Sequence, residues 1–382
     1  MRILHTSDWH LGRSFHRVGM LEHQVAFVDH LVDVVVAERV DVVVVAGDVY
    51  DRALPAVDTV AVLSDALSRL RSAGAQVVLT SGNHDSAGRL GFASSVLEHG
   101  GVHVRSRVGD LARPVLLGDE HGPVAIYGLP YLEPAMCADE LGSDRSHRGV
   151  LDAAMVRVRA DLAAQPTPTR SVVAAHAFVI GGQASESERD ISVGGVGAVP
   201  HSVFDGVDYV ALGHLHGRQR LTETVRYSGS PLAYSFSEAA HVKGTWLVDL
   251  GPAGVRDVRA LPAPVPRPLV TMRGELATLL SDPALAHAER AWCQVVLTDA
   301  ARPRAAMAQL QRRFGHTLSL TFEPQGTTSA ADYAGRVRGR SDLDVCCDFV
   351  EHVRGSAADT DERTLLAQAL DRAREVAHED AA

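Results

Sequence analysis

Along residues 1–250 the chain alternates two textures. Short apolar runs rich in valine occur at Arg2–His5, Val40–Ala46, Gln76–Thr80, Val124–Gly128, Ser171–Ala175 and Tyr209–Leu212. Between them Glu22–Glu38, Val57–Ala73 and Gly149–Ala164 repeat apolar residues at helical spacing. Strands that lack a polar alternation and are separated by helices have both faces covered, which predicts an α/β fold with largely parallel pairing and helices outside. Two further runs, Thr224–Ser228 and Thr245–Leu250, predict an antiparallel pair that closes this region.

The texture changes at Leu261–Pro268, where proline alternates with other residues. Such chain is stiff and a poor sheet partner, so it marks a boundary. Beyond it, strands are predicted at Leu269–Met272, Trp292–Leu297 and Thr317–Thr321, with helices at Glu275–Leu280 and Pro303–Phe314, a small α+β module. A weakly patterned link, Gln325–Ser341, leads to two amphipathic helices, Asp342–Val353 and Thr360–Ala377; Leu365, Leu366, Ala369, Leu370 and Ala373 share one face of the second. The predicted organisation is a domain over 1–260, a module over 268–325 and a helical segment over 340–382.

With 46% hydrophobic and 22% charged residues, the chain is neither disordered nor fibrous. No apolar run approaches the roughly 20 residues of a membrane span, and the first residues turn polar before an export signal forms, so a cytoplasmic location is expected. Cys137, Cys293, Cys346 and Cys347 have no C-x-x-C spacing and read as reduced structural thiols. A formal charge of −10 excludes attraction of a polyanion by net charge alone. Any nucleic-acid contact needs local cations.

Five short motifs carry candidate chemistry: Asp8-Trp9-His10, Gly47-Asp48, Gly82-Asn83-His84-Asp85, His176, and Gly213-His214-Leu215-His216. Each follows a predicted strand, and in α/β sheets ligands bind beyond the carboxyl ends of strands, so the motifs are expected to converge. Carboxylate, amide and imidazole together suit manganese, iron or zinc. One carboxylate can bridge two ions about 3.5–4 Å apart, and Asp48 is the candidate bridge; such a pair activates water and offsets charge on a phosphate ester. A lone histidine is more often a core hydrogen bonder, whereas the whole series in this order is not.

The series resembles the calcineurin-like metallophosphoesterase superfamily from Met1 to about Leu250. Thr6–Arg13, Glu188–Ile191, Asp208–His216 and Arg226–Leu232 narrow the resemblance to its SbcD-type nuclease branch. The resemblance implies a β-sandwich flanked by helices, a small capping domain and C-terminal helices. It implies two divalent ions, with Mn²⁺ the expected metal: one on Asp8, His10, Asp48 and His216, the other on Asp48, Asn83, His176 and His214. His84 is implied as the catalytic histidine, with orientation of a neighbouring ligand as the alternative. Asp51 and Asp85 are expected to position loops. One departure is that His176 is followed by Ala177-Phe178-Val179, without a second polar group.

The branch further implies a homodimer bound to an SbcC ATPase in a heterotetramer, acting on DNA as exonuclease and single-strand or hairpin endonuclease in repair, at the nucleoid and away from membranes. Arg13, Arg17, Arg89 and Arg189 are candidate DNA contacts, the C-terminal helices the candidate SbcC dock. Two rivals differ in what they require. A small-molecule phosphoesterase needs neither module nor tail, and a non-catalytic scaffold predicts missing ligands, of which there are none.

Overall fold

The computed structural model describes residues 1–188, 197–324, 340–354 and 356–379, the last six by backbone alone. There are two compact units, Met1–Arg273 with Ala277–Val295 and Ala305–Leu320, and Gly274–Leu276 with Val296–Arg304 and Thr321–Ala382.

The first unit contains β1 (Arg2–Thr6), the small hairpin β2 (Ser14–Phe15) and β3 (Val18–Gly19), β4 (Val42–Ala46), β5 (Gln76–Thr80), β6 (Val102–Arg105), β7 (Val115–Asp119) and β8 (Gly122–Leu129). There follow β9 (Arg170–His176), β10 (Tyr209–Gly213), β11 (Gln219–Arg220), β12 (Val225–Tyr227), β13 (Gly244–Gly251) and β14 (Gly254–Pro262). The helices are α1 (Leu21–Glu38), α2 (Val57–Ser72), the short α3 (Ala87–Leu90) and α4 (Ser94–His99), α5 (Pro134–Leu141) and α6 (His147–Ala164).

Two six-stranded sheets result, ordered β14-β13-β1-β4-β5-β6 and β11-β12-β10-β9-β8-β7. In the first, β1, β4, β5 and β6 run parallel, and in the second so do β8, β9, β10 and β12. Strand β4 shows why its sequence is unbroken valine. Val42 and Val44 join Ile3, Ile126 and Val172 between the sheets. Val43 and Val45 face the other way, in a cluster with Leu31 and Val35 of α1 and Leu63 and Leu70 of α2. On the far side Tyr127, Val173 and Val210 share a cluster with Leu151, Met155 and Val158 of α6. The architecture is thus a β-sandwich flanked by helices, as the resemblance implies, and its central strands leave no room for a polar face.

One expectation is corrected. Thr224–Ser228 and Thr245–Leu250 do not pair: β12 lies parallel to β10 in the second sheet, whereas β13 runs antiparallel to β1 and β14 in the first. Alternation fixes which faces a strand presents but not its neighbour. The true partner, β14, carries Arg256, Asp257 and Arg259 on an exposed edge, where charge protects against further pairing and replaces the apolar pattern of the inner strands. Strands β6 and β7, also unpredicted, are likewise outer strands of their sheets.

The two sheets are tied at one end by an arginine that also forms an ion pair within the second sheet. Arg170 on β9 donates from Nη1 and Nη2 to Asp119 on β7 at 3.1 and 2.5 Å, and also to the carbonyl oxygen of Gly251 on β13 at 3.3 Å. These bonds from Arg170 hold the Asp119 carboxyl well below its ordinary value. A depressed carboxylate contributes stability above its unfolded value near 3.8, lost as pH falls toward the lower native value. Asp119→Asn is therefore expected to cost about 2 kcal/mol at pH 7 and progressively less below pH ~4. Denaturant melts of both chains across that range check it; a gap independent of pH would refute the assignment.

Beyond Pro262, β15 (Leu269–Gly274), β16 (Trp292–Leu297) and β17 (Thr317–Phe322) form a three-stranded sheet in that order, with α7 (Leu276–Ser281) and α8 (Ala306–Arg313) between them in sequence. Trp292 packs 5.4 Å from Phe15, in a cluster with Met20, Leu232 and Phe236. In the second unit α9 (Asp342–Arg354) and α10 (Thr360–Glu379) are joined by Arg354 on Glu362 at 2.9 Å and Arg363 on Asp344 at 3.0 Å. Most of the link Gln325–Ser341 lies outside the described residues. Among the described residues no helix is long and apolar enough to cross a membrane.

Candidate metal centre

Five strands deliver the motifs to one edge of the sandwich. Asp8 and His10 follow β1, Asp48 follows β4, and Asn83 and His84 follow β5, all in the first sheet; His176 ends β9 and His214 and His216 follow β10, in the second. The backbone there is bent hard. Asp8, His10, Asp48 and His214 all have positive φ, at 52°, 45°, 48° and 105°. Left-handed backbone at non-glycine residues costs of order 1–3 kcal/mol each and persists only where the surroundings impose it. Two glycines permit the close approach. A Cβ on Gly213 would overlap the carbonyl oxygen of Ala46 on the opposite sheet, and one on Gly82 would strike the Asp48 carboxylate.

The ligating atoms face one another. His10 Nε2 lies 3.0 Å from His216 Nε2 and 3.6 Å from Asp48 Oδ2. On the other side of Asp48, His176 Nε2 is 3.5 Å from the same oxygen and 2.9 Å from Asn83 Oδ1. The His214 ring sits 5.3 Å from that of His176, and its backbone N–H donates to Asp8 Oδ1 at 3.0 Å. Asp8, His10 and His216 form one group with atoms in ligating reach of each other, and Asp8, Asp48 and His176 another.

Whether this cluster suits cations is decided by its protons. His176 Nδ1 donates to the carbonyl oxygen of Ala46 at 3.0 Å, which can only accept. When the ring is neutral its Nε2 then turns a lone pair toward the oxygens of Asp48 and Asn83, an assembly of acceptors that needs positive charge in its midst, whether a proton or a cation. The pKa shifts agree. Burial works to lower the His176 imidazole, but Asp48 and Asp8 lift it to about 9, so in the ion-free chain a proton sits among those oxygens. Burial drops His214 to about 3 and His10 well below its usual value, keeping both in the neutral ligating form. Burial also raises Asp8 to about 6, whereas His176 and His10 hold Asp48 low against the same burial. The residues fit a pair of divalent ions.

His84 stands beside this set. Its backbone N–H donates to Asp48 Oδ1 at 2.8 Å, its Nδ1 to the Asp51 carbonyl at 2.8 Å, and its Nε2 lies 4.0 Å from Asp48 Oδ2. Asp85 accepts from the backbone of Val49, Tyr50 and Gly82 at 2.9–3.0 Å, lacing the Asp48 loop to the Asn83 loop. Next to Asn83 opens a cavity of about 690 Å³ lined in part by Ser86, Ser106, Tyr131, Leu132 and Met136.

Of the four arginines, Arg13 is at the centre's rim: its Nη2 donates to Ser187 O at 2.7 Å, its Nε lies 3.7 Å from Asp51, and it stacks over Tyr234 at 4.9 Å. Arg17, at the β2–β3 turn, and Arg89, on α3, are exposed. Arg189 lies outside the described residues. Sequence reasoning missed the polar groups behind the ligands: Gln24, whose Nε2 donates to the His10 carbonyl at 2.7 Å, and Ser187, Glu188, Glu238 and Lys243 around His216. The signals available were that Glu188 opens the Glu188–Ile191 motif and that Lys243 is the only lysine in the chain.

Comparison with known proteins agrees with this geometry. The calcineurin-like phosphoesterase profile matches residues 1–218, so the chain belongs to that family, hydrolases that act on phosphoester bonds with divalent metals. A second profile, the type 5 capsule protein repressor C-terminal domain, labelled for SbcD, matches 265–354, and the two in this order mark an SbcD-type member. Among solved structures the chain is similar to TT1561 of Thermus thermophilus, at 15% identity and TM-score 0.40, over 68% of this chain and 98% of that one. It is also similar to GAP50, the anchor in the inner membrane complex of Plasmodium, at 9% identity and TM-score 0.36, over 86% and 99%.

Proposed function

We propose that the chain is a two-metal DNA phosphodiesterase, an exonuclease and single-strand or hairpin endonuclease that works with an SbcC-type ATPase in repair and recombination. The observation that carries this reading is the convergence, from two sheets, of seven side chains that turn oxygen and nitrogen donors toward one shared edge. Asp8, His10, Asp48 and His216 hold one ion in this proposal, and Asp48, Asn83, His176 and His214 the other. Manganese suits the mixed oxygen and nitrogen donors. Such ions lower the pKa of water and offset charge on the phosphoryl oxygens.

The protein's own part is positional and protonic. Asp48 sits between the two sets of ligands, held there by the His84 backbone N–H. The His84 ring is fixed by its Nδ1 bond to the Asp51 carbonyl, with Nε2 4.0 Å from Asp48 Oδ2, and in this reading that nitrogen stabilises the transition state or gives a proton to the departing oxygen. Arg13 at the rim, with Arg17, Arg89 and Arg189, supplies the local cations that a net charge of −10 denies the whole molecule.

In the same reading residues 1–260 form the nuclease domain, 268–325 cap it, and 340–382 dock on SbcC within a heterotetramer built on a homodimer. Support for docking comes from Phe349, Val353 and Leu365, large apolar side chains 56%, 68% and 64% exposed on α9 and α10. Truncation after Gly339 is expected to leave metal-dependent cleavage intact and abolish co-purification with SbcC; retained co-purification would refute the dock. The function itself is tested by manganese-dependent digestion of linear, hairpin and circular DNA, with and without SbcC. Cleavage of small phosphodiesters but of no DNA would overturn it.

A further inference from the structure

His216 is gripped from three directions by groups that ligate nothing themselves. Its backbone N–H donates to Glu188 Oε1 at 2.7 Å. Its carbonyl oxygen accepts from Lys243 Nζ at 2.8 Å. Its ring Nδ1 lies 2.5 Å from Ser187 Oγ. The remaining bonds close the set. Ser187 Oγ donates to Glu238 Oε1 at 2.5 Å, and Lys243 donates to Ser230 Oγ at 2.9 Å and to Glu238 Oε2. All three protons of the ammonium are used, and Lys243, Glu238 and Ser187 are buried.

Counting protons orders this network. A hydroxyl has one proton, and the ionised Glu238 can only accept, so the Ser187 proton goes to the carboxylate. Ser187 oxygen must then accept from His216 Nδ1–H. That leaves Nε2 of His216 as a bare lone pair, pointed at His10 Nε2, the tautomer that a cation requires. A buried lysine is costly to bring into a protein interior and is kept where it is paired and fully bonded. Here it neutralises the carboxylate that sets the tautomer and fixes the backbone of the same histidine.

We propose that Ser187, Glu188, Glu238 and Lys243 are positioning residues that lock His216 in its ligating tautomer and orientation, and thereby set the affinity of the ion shared by Asp8, His10, Asp48 and His216. The inference rests on the two-ion reading above. It assigns the Ser185–Glu188 turn, 29 residues before His216 at Ser187, a place in metal binding.

The test compares the unmodified chain with Ser187→Ala and Ser187→Thr by manganese titration of the ion-free proteins, counting ions per chain, and by melting in excess chelator. The expected result is a 10–100-fold loss of affinity for one of the two ions in Ser187→Ala, with the second unaffected. Ser187→Thr, which keeps the hydroxyl, should restore it, and melting in chelator should be alike for all three. A merely structural serine would lower melting in chelator and weaken both ions together, which overturns the proposal. Glu188→Gln provides an independent arm, since it keeps an acceptor but loses the charge on the His216 N–H; a several-fold weaker binding of the same single ion is expected. Two ions bound with unchanged affinity by Ser187→Ala would overturn the proposal alone. Fewer than two ions on the unmodified chain would overturn the two-ion reading and the proposal with it.

Discussion

Asp48→Asn is expected to reduce bound metal from two ions per chain to one or none and to lower phosphodiester cleavage on the order of 10³-fold or more. The reason is geometric. Asp48 Oδ2 lies within 3.6 Å of both His10 Nε2 and His176 Nε2, so this one oxygen reaches both halves of the cluster. An amide there keeps the shape and the acceptor for the His84 N–H but loses the charge that offsets two cations. The same change removes the larger of the two carboxylate influences that lift His176 to about 9, so its imidazole should lose its proton more easily in the ion-free chain. Metal analysis after dialysis and a cleavage assay decide the matter together. Two ions retained at full affinity would remove Asp48 from the bridge.

His84→Ala should separate metal binding from chemistry. The contact that His84 makes to Asp48 Oδ1 is from its backbone N–H, which alanine keeps, so two ions are expected to remain. The ring is what disappears, and with it the Nε2 that lies 4.0 Å from Asp48 Oδ2. A loss of about 10²–10⁴-fold in turnover is expected, the range for a general acid or a charge-stabilising donor. DNA binding in the presence of calcium, measured by anisotropy, should change little. Full activity in this variant would end the catalytic role; loss of metal would assign His84 to orientation instead.

Much of this was legible in the chain before folding. Asp8, Asp48, Asn83, His176 and His214 each follow a run of apolar residues, and because those strands must be buried on both faces, their ends must emerge where polar side chains can gather. Burial made the strands readable and topology made the site readable. The failures have the same physics. β14 is an exposed edge, so it had no reason to be apolar, and the pairing of β12 with β10 rather than β13 is a long-range choice that no local alternation encodes. The grip on His216 was invisible for a further reason. Ser187 lies in a polar Ser-Glu-Ser-Glu turn, and Glu238 and Lys243 come more than twenty residues after the histidine; only their meeting in space gives them meaning.

The division of ligands between the sheets has a mechanical corollary. Asp8, His10, Asp48 and Asn83 follow strands of one leaf of the sandwich and His176, His214 and His216 those of the other, so in the proposed assignment each ion would span the seam like a rivet. By linkage, whatever the ions gain by seating there is lent to the cohesion of the two leaves, and chelation withdraws it. Conversely, a slip of one leaf along the other by a fraction of a bond length would drag three donors away from the remaining four at once, dimming the chemistry without touching any reacting group.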